Sequence, residues 1–333
     1  MKKTLLGLAI LGASAAATAQ TSVTIYGIVD VGIVSTRGIA PNPEETRNEL
    51  RSGNQSGSRL GFKGTEDLGG GMKANFILEN GLNVDNGTAA QGGVLFGRRA
   101  TVGLSGEFGS LDLGRRNSPF YNAIDSVDPM ATGFAGNAAN LMYRNGDATD
   151  VGQRMNNAVF YATPQFGPIS AEIAYGFGEV AGDNSASRIY GGSIAYVDGP
   201  ISVALAHHNV NSATGNTNSK NTVITGKYKF AALGAHFAYA HNTGALINSD
   251  DLLVGVSVPF GPHTLLGSYI QKDDDSTAQN DSKQFAIAYT YALSTRTNLY
   301  ASYAKISNDN TAIFKTNAGF GDREGNFGIR HKF

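Results

Sequence analysis

Cysteine and tryptophan are absent from this chain of 333 residues, and proline occurs only 9 times. With no thiols there is no disulfide framework and no cysteine-ligated metal, nor any group that an oxidising compartment would attack. A dominant charge is lacking too. Without Lys2 and Lys3, 24 basic residues stand against 27 acidic ones, a net charge of about −3, which offers nothing to attract nucleic acid. Beyond residue 20 no apolar run approaches the ~20 residues that a spanning helix needs. If such a chain crosses a membrane, it must do so as a closed β-barrel, the other structure that pairs every backbone group in lipid. Catalytic signatures are also missing. None of the six histidines (207, 208, 236, 241, 263 and 331) has metal-ligand spacing, and there is no GxSxG elbow and no phosphate-binding loop. No cofactor, no metal and no enzymatic activity are expected. The carboxylates Glu44-Glu45 and Asp273-Asp274-Asp275 read as solvated charge in external loops.

The first residues carry a different signal. Lys2 and Lys3 precede the short apolar segment Thr4 to Leu11 and a run of small residues ending in Ala17-Thr18-Ala19. This is the pattern of a secretory signal peptide over 1–19, with an A-x-A cleavage site. The mature domain is expected to span 20–333.

Within that domain the dominant period is two. Val23, Ile25, Val29, Val31 and Ile33 alternate with small or polar residues, as do Ile201, Val203 and Leu205, then Leu252, Val254, Val256 and Val258, then Phe285, Ile287, Tyr289 and Tyr291. Each segment is a strand with one apolar and one small or polar face. Short turns (Asp67 to Gly71, Gly106 to Gly109, Gln165 to Pro168, Asp198 to Pro200, Ala231-Ala232, Phe260 to Pro262, Ser294 to Arg296) alternate with long polar segments near 37–57, 83–93, 115–153, 178–186, 210–219, 242–250, 273–281 and 306–323. Seven short and eight long connections imply sixteen antiparallel strands. The alternation is that of a transmembrane barrel with short turns on one side and long loops on the other. A β-sandwich would not need it, nor explain an inner face of Gly, Ser, Ala and Thr with scattered charge such as Arg59, Lys63, Lys73, Glu79 and Arg98. The last strand, Asn326 to Phe333, still alternates at its aromatic end, as expected of a barrel closing on its first strand.

Four segments in order carry a family resemblance: Ser22 to Asp30 (SVTIYGIVD), Gly57 to Gly69 (GSRLGFKGTEDLG), Leu95 to Leu104 (LFGRRATVGL) and Gly109 to Arg115 (GSLDLGR). With the terminal Phe333 and the long segment that follows the fourth, the chain resembles the general diffusion porins of Gram-negative bacteria, the beta-proteobacterial type in particular. The resemblance implies an outer-membrane homotrimer surrounded by lipid and lipopolysaccharide. Each barrel would pass small hydrophilic solutes and ions, with its third external loop (here 115–153) folded into the pore as a constriction. A long loop inside a compact fold is usually functional. Phe333 would be the C-terminal insertion signal.

The resemblance also implies wall arginines facing loop acids at the constriction. By motif position these are Arg59, Arg98 and Arg154. Parity along the strand adds Lys63, and Arg115 at the loop root joins them, with Arg116 beside it. By the same parity Arg98 and Ala100 are expected on the inner face and Arg99 outside, at a subunit interface. The acidic partners expected are Asp125 and Asp128, spaced to project together from a helical turn or to shape the loop, and then Asp147 and Asp150. Basic walls favour anions and loop acids oppose them, so a weak anion preference is expected. Alternatives are a substrate-specific channel, which would need an aromatic ladder or a denser basic track, and a plugged structural or adhesive barrel, which would show bulky paired charges inside.

Overall fold

The computed structural model describes residues 22–38, 44–142, 153–244, 248–277, 281–308 and 322–333. The expected leader lies outside them. Among the described residues the chain forms one closed antiparallel barrel. Its strands are β1 (Ser22–Arg37), β2 in two stretches (Thr46–Ser52 and Arg59–Gly69), β3 (Met72–Asn83), β4 (Arg99–Gly106), β5 (Gly109–Asn117), β6 (Arg154–Ala162), β7 (Ile169–Gly176) and β8 (Ile189–Asp198). They continue as β9 (Ile201–Asn211), β10 (Asn218–Phe230), β11 (Leu233–Thr243), β12 (Asn248–Phe260), β13 (His263–Asp274), β14 (Ser282–Ala292), β15 (Thr297–Asn308) and β16 (Arg323–Lys332). Every strand pairs with its chain neighbour, and β16 pairs with β1. The seam runs one residue further, because the Phe333 and Gly27 backbones exchange hydrogen bonds of 3.1 Å in both directions. The ring has sixteen strands.

The outer face explains the aromatic content. Towards the short-turn end it exposes Phe108, Phe166, Tyr196, Tyr228, Phe230, Phe260, Tyr291 and Phe333; towards the long-loop end, Tyr175, Phe177, Tyr190, Tyr239, Phe285 and Tyr303. Between them lie exposed aliphatics such as Ile25, Val203, Leu205 and Ile287. Two aromatic girdles around an apolar band are how a barrel meets the two interfaces of a bilayer. The short turns fall where the punctuation placed them; Gly199, for example, turns at φ +52° between β8 and β9.

The long segment 37–57 is not all loop. Thr46–Ser52 pairs with Val31–Arg37 as the upper stretch of β2, with Leu50 outward and Glu49 and Arg51 inward. Its charges disguised it, since a wet lumen accepts them on the inner face. Asp273 and Asp274 likewise close β13, where they were expected in a loop. Residues 53–58 interrupt β2 and bend inward around Asp30, whose carboxylate accepts from the Gln55 and Ser56 N–H groups at 2.9 and 2.6 Å and from Tyr300 Oη at 2.6 Å.

The third long connection also enters the barrel. After β5, Ser118 caps the short helix α1 (Pro119–Asp125), its side chain accepting from the Tyr121 N–H. Pro119 occupies the first helical turn, where its missing donor costs nothing. The helix packs on the inner wall of β8–β10, with Phe120 stacked on His208. From there the loop follows the wall. His236 Nδ1 meets the Val127 carbonyl at 2.7 Å, the Ala135 N–H reaches Ser302 Oγ, and Asn140 reaches Gln284 Oε1 at 2.8 Å. The wall is made of small residues beneath it: Ala206, Ala238, Ala240, Ala286, Ala288 and Ala304 form one buried cluster with the loop's Phe120, Ile124, Met130, Leu141 and Met142. A Cβ on Gly136 would lie 1.9 Å from that of Ala286, and one on Gly255 would lie 2.6 Å from Pro129 Cγ. The core of this protein is therefore the loop pressed against the half of the inner wall formed by β8–β15.

Candidate pore constriction

The other half of the wall, β2–β7, carries the arginine cluster, while the packed half holds the fully buried ion pair Lys272–Asp251 at 2.8 Å. Glu79 is at the centre of one group. Arg98 Nε donates to its Oε1 at 2.7 Å, Arg59 approaches the same oxygen at 3.8 Å, and Tyr26 Oη donates to Oε2 at 2.9 Å. Arg98 passes over Gly57, where a Cβ would lie 2.8 Å from its guanidinium. Asp112 organises a second group, with Arg99 at 3.0 Å and Arg116 at 2.7 Å. Arg116 also pairs with Glu172 and lies over the Phe160 ring. Arg99 is directly opposite Glu79 in the β3–β4 register, which joins the groups into one ladder. Four arginines thus share three carboxylates along the inner wall. Lys63 is inward on β2, exposed, with Nζ 5.5 Å from the Tyr26 ring centroid.

Arg59 and Lys63 take the inward positions expected of them, but the directions of others need correction. Parity put Arg98 on the inner face of its strand and Arg99 outside. In fact β4 begins at Arg99 and its inner face is Arg99, Thr101 and Gly103, with Val102 and Leu104 exposed outward. Arg98 reaches Glu79 from the segment before the strand, where strand parity does not apply. Arg115 was expected in the pore, but it lies opposite the outward Ala100 and donates from Nε to the Gly97 carbonyl at 2.8 Å and from its guanidinium to Asn156. Its neighbour Arg116 takes the inner position. Asp112, Gly114 and Arg116 share the inner face by unbroken parity against β4, and the irregularity lies in β6, where Asn156 and Asn157 stand opposite the single residue Arg115. Gly114 adopts φ +125°, and a Cβ there would lie 2.1 Å from the Ala100 carbonyl oxygen, so glycine is required. Arg154 is also out of phase with the buried, inward Met155, and donates from Nε to the Arg98 carbonyl at 3.2 Å. It tethers Arg98 from behind.

The loop acids do not face the arginines as expected. Asp125 ends α1 and accepts from Thr132 Oγ1, which also bonds Tyr121 Oη. Asp128 is beyond the helix and buried, its carboxylate accepting from the N–H groups of Met130, Thr132 and Ala138 at 2.9, 3.1 and 2.8 Å. Burial pushes its pKa up to about 6, against the pull of those three donors. Both acids hold the loop's own turns together. Asp147 and Asp150 lie outside the described residues. The acid that does face Arg59 and Arg98 is Glu79, on the wall itself. Its inward parity was visible in the sequence, but its pairing required knowing which strands are neighbours.

The comparisons agree with this geometry. The model for the Gram-negative porin family matches residues 7–311. Outer membrane porin protein 32 of Delftia acidovorans is 35% identical over the whole of both chains. An outer membrane porin protein of Bordetella pertussis is 34% identical, covering 92% of this chain and 94% of that one. The anion-selective porin from Comamonas acidovorans superposes with a TM-score of 0.82 at 31% identity, over 94% of this chain and all of that one. A closed sixteen-stranded ring, a loop lying inside it and relatives matched end to end place the chain in the Gram-negative porin family, as a passive diffusion channel of the outer membrane.

Proposed function

We propose that the pore admits small hydrophilic solutes with a weak preference for anions, set by Arg59, Arg98, Arg99 and Arg116 with Lys63 below them, and that the chain turns nothing over. The observation that carries this reading is the imbalance across the lumen. Four guanidiniums share three carboxylates on one wall, while Asp128 opposite is buried and committed to backbone donors. Fixed charges beside confined water act through a low local dielectric, so an unmatched cation there attracts anions strongly. The relative named as anion-selective supports the sign. A lumen aromatic ladder is not supported, because Tyr300 is buried against Asp30.

The homotrimer implied by family resemblance belongs to the same proposal. Val94 and Leu95 project from the second external loop, 51% and 68% exposed, as residues awaiting a neighbour would. The secretory leader over 1–19 and an insertion role for Phe333, whose backbone closes the seam, complete it. Purified oligomer in a planar bilayer is expected to open in steps of three with ohmic conductance. Folded, heat-modifiable protein that never conducts would overturn the open-pore reading.

A further inference from the structure

Asp30 belongs neither to the arginine ladder nor to the third loop, yet it is wholly buried and residues 53–58 wind around it. Its carbonyl accepts the Gly53 N–H at 2.8 Å and Ser58 Oγ at 2.9 Å, and its own N–H donates to Ser58 Oγ at 3.0 Å. Between those ends its carboxylate holds the Gln55 and Ser56 N–H groups. Hydrogen bonds to an ionised acceptor are the short, strong kind. Without the carboxylate, two backbone N–H groups and the Tyr300 hydroxyl would lose their acceptor, which is costly away from water. The bend held in this way touches both sides of the pore. On the wall side the Gly57 carbonyl accepts from Arg59 Nε at 2.9 Å, and the Arg98 guanidinium lies against the Gly57 backbone. On the loop side the Asn54 carbonyl accepts the Phe134 N–H at 2.5 Å, and a Cβ on Gly133 would lie 1.9 Å from the Gln55 carbonyl oxygen. Tyr300 joins the two, since its hydroxyl donates to Asp30 and accepts from Asn54 Nδ2 while its ring meets Phe134 edge-on at 5.8 Å.

The stretch of loop that meets the bend is strained. Ala131, Thr132 and Phe134 have φ of +49°, +48° and +56°, a region that β-branched and bulky side chains avoid. Such backbone persists only where its surroundings over-determine it, and the bend supplies part of that constraint through Asn54 and Gln55. We infer that Asp30 is a positioning residue of the constriction: through residues 53–58 it fixes both the two arginines that face Glu79 and the loop turn 131–134. This rests on the anion-preferring pore proposed above and names what sets its geometry. Asp30 is shut away from the lumen, so it acts through the bend and not through its charge.

The test separates position from charge by the reversal potential of the native oligomer in a salt gradient. Asp30→Asn removes the charge but keeps an oxygen for the Gln55 and Ser56 N–H groups, and Asp30→Ala removes both. Ser58→Ala loosens the same bend with no change of charge. Asp30→Asn is expected to stay close to the wild type, Asp30→Ala to move toward zero as the arginines lose their fixed places, and Ser58→Ala to move the same way by less. Equal shifts toward anions in Asp30→Asn and Asp30→Ala would make Asp30 a fixed charge and overturn the inference, as would an unchanged potential in both alanine variants. Where Asp30→Ala yields no folded barrel, Ser58→Ala decides alone. A second readout does not need the channel. The chain has no tryptophan, so Phe134→Trp supplies a single emitter at the loop turn. In that background Asp30→Ala should move the emission to longer wavelength as the turn leaves the bend, and unmoved emission would contradict the inference. Shifted emission together with a wild-type channel lacking anion preference would count against the pore reading and leave the role of Asp30 standing.

Discussion

The two halves of the inner wall are built from the same alternating strands but do opposite work. Over β8–β15 the inward positions beneath the third loop include Ala206, Ala238, Ala240, Gly255, Ala286, Ala288 and Ala304, and the loop fills the space they leave. Over β2–β7 the inward positions include Arg59, Glu79, Arg99, Asp112, Arg116 and Glu172, and no described loop segment seals them. The contrast shows how a barrel wide enough to be a pipe becomes a filter. Small side chains on one side let the loop approach closely, and charged ones on the other remain wet. Burial on the first half holds the loop by packing, which is insensitive to salt, whereas the partly exposed pairs on the second are weakened by it.

The largest effect is expected from breaking the packed half. Gly136→Val places methyls where Ala286 already lies and should lift the loop from the wall, raising single-channel conductance and lowering the unfolding temperature of the barrel. Unchanged conductance would mean that the loop does not define the narrow section. Next comes the charged half. Arg59→Gln with Arg98→Gln removes both arginines paired with Glu79, leaving it Tyr26 and the opposite Arg99, and should move ion selectivity toward cations.

A third, smaller effect concerns pH. The Asp128 carboxyl lies above its ordinary value of 3.8, at about 6. Its folded form therefore binds a proton more tightly than an unfolded loop would. The packed loop is most stable at low pH, loses stability as pH rises from about 4 to about 6, and is indifferent to Asp128 above that. Channel noise from loop motion should be greater at pH 7 than at pH 4.5. Asp128→Asn should abolish that difference, at a cost of about 1–3 kcal/mol in loop stability if its amide cannot satisfy all three donors. A pH response identical in the variant would contradict the assignment. The smallest effect is expected at Arg115, which is outward opposite Ala100. Arg115→Gln should leave the reversal potential of the channel unchanged, whereas Arg116→Gln should shift it.

Much of the barrel was legible in the sequence. Period-two alternation and the rhythm of short and long connections require only local pattern, and the inward positions of Arg59 and Lys63 follow from unbroken parity with Leu60 and Phe62. What was not legible depended on where each strand begins and ends. Arg98 precedes its strand, and Arg115 was placed from the loop root, although the parity of Asp112 and Gly114 carries Arg116 inward instead. Asp128 was open between two roles for another reason, and the turn-shaping one is what the loop uses. Two acids three residues apart look alike on paper, but α1 ends at Asp125, and the burial of Asp128 arises from contacts with Met130, Thr132 and Ala138 around a fold that no local rule specifies. Glu79 was legible as an inward charge but not as the partner of two arginines, one of them from a segment outside any strand.

The central claim is that the unlined arginine wall, and not the loop, sets the sign of selectivity. The most direct test is the reversal potential in a salt gradient for the wild type, for Arg59→Gln with Arg98→Gln, and for Asp125→Asn with Asp128→Asn. The expected results are an anion-selective wild type, a marked shift toward cations when the wall arginines are lost, and little change when the loop acids are neutralised. A cation-selective wild type, or a larger shift from the loop acids than from the arginines, would contradict that claim.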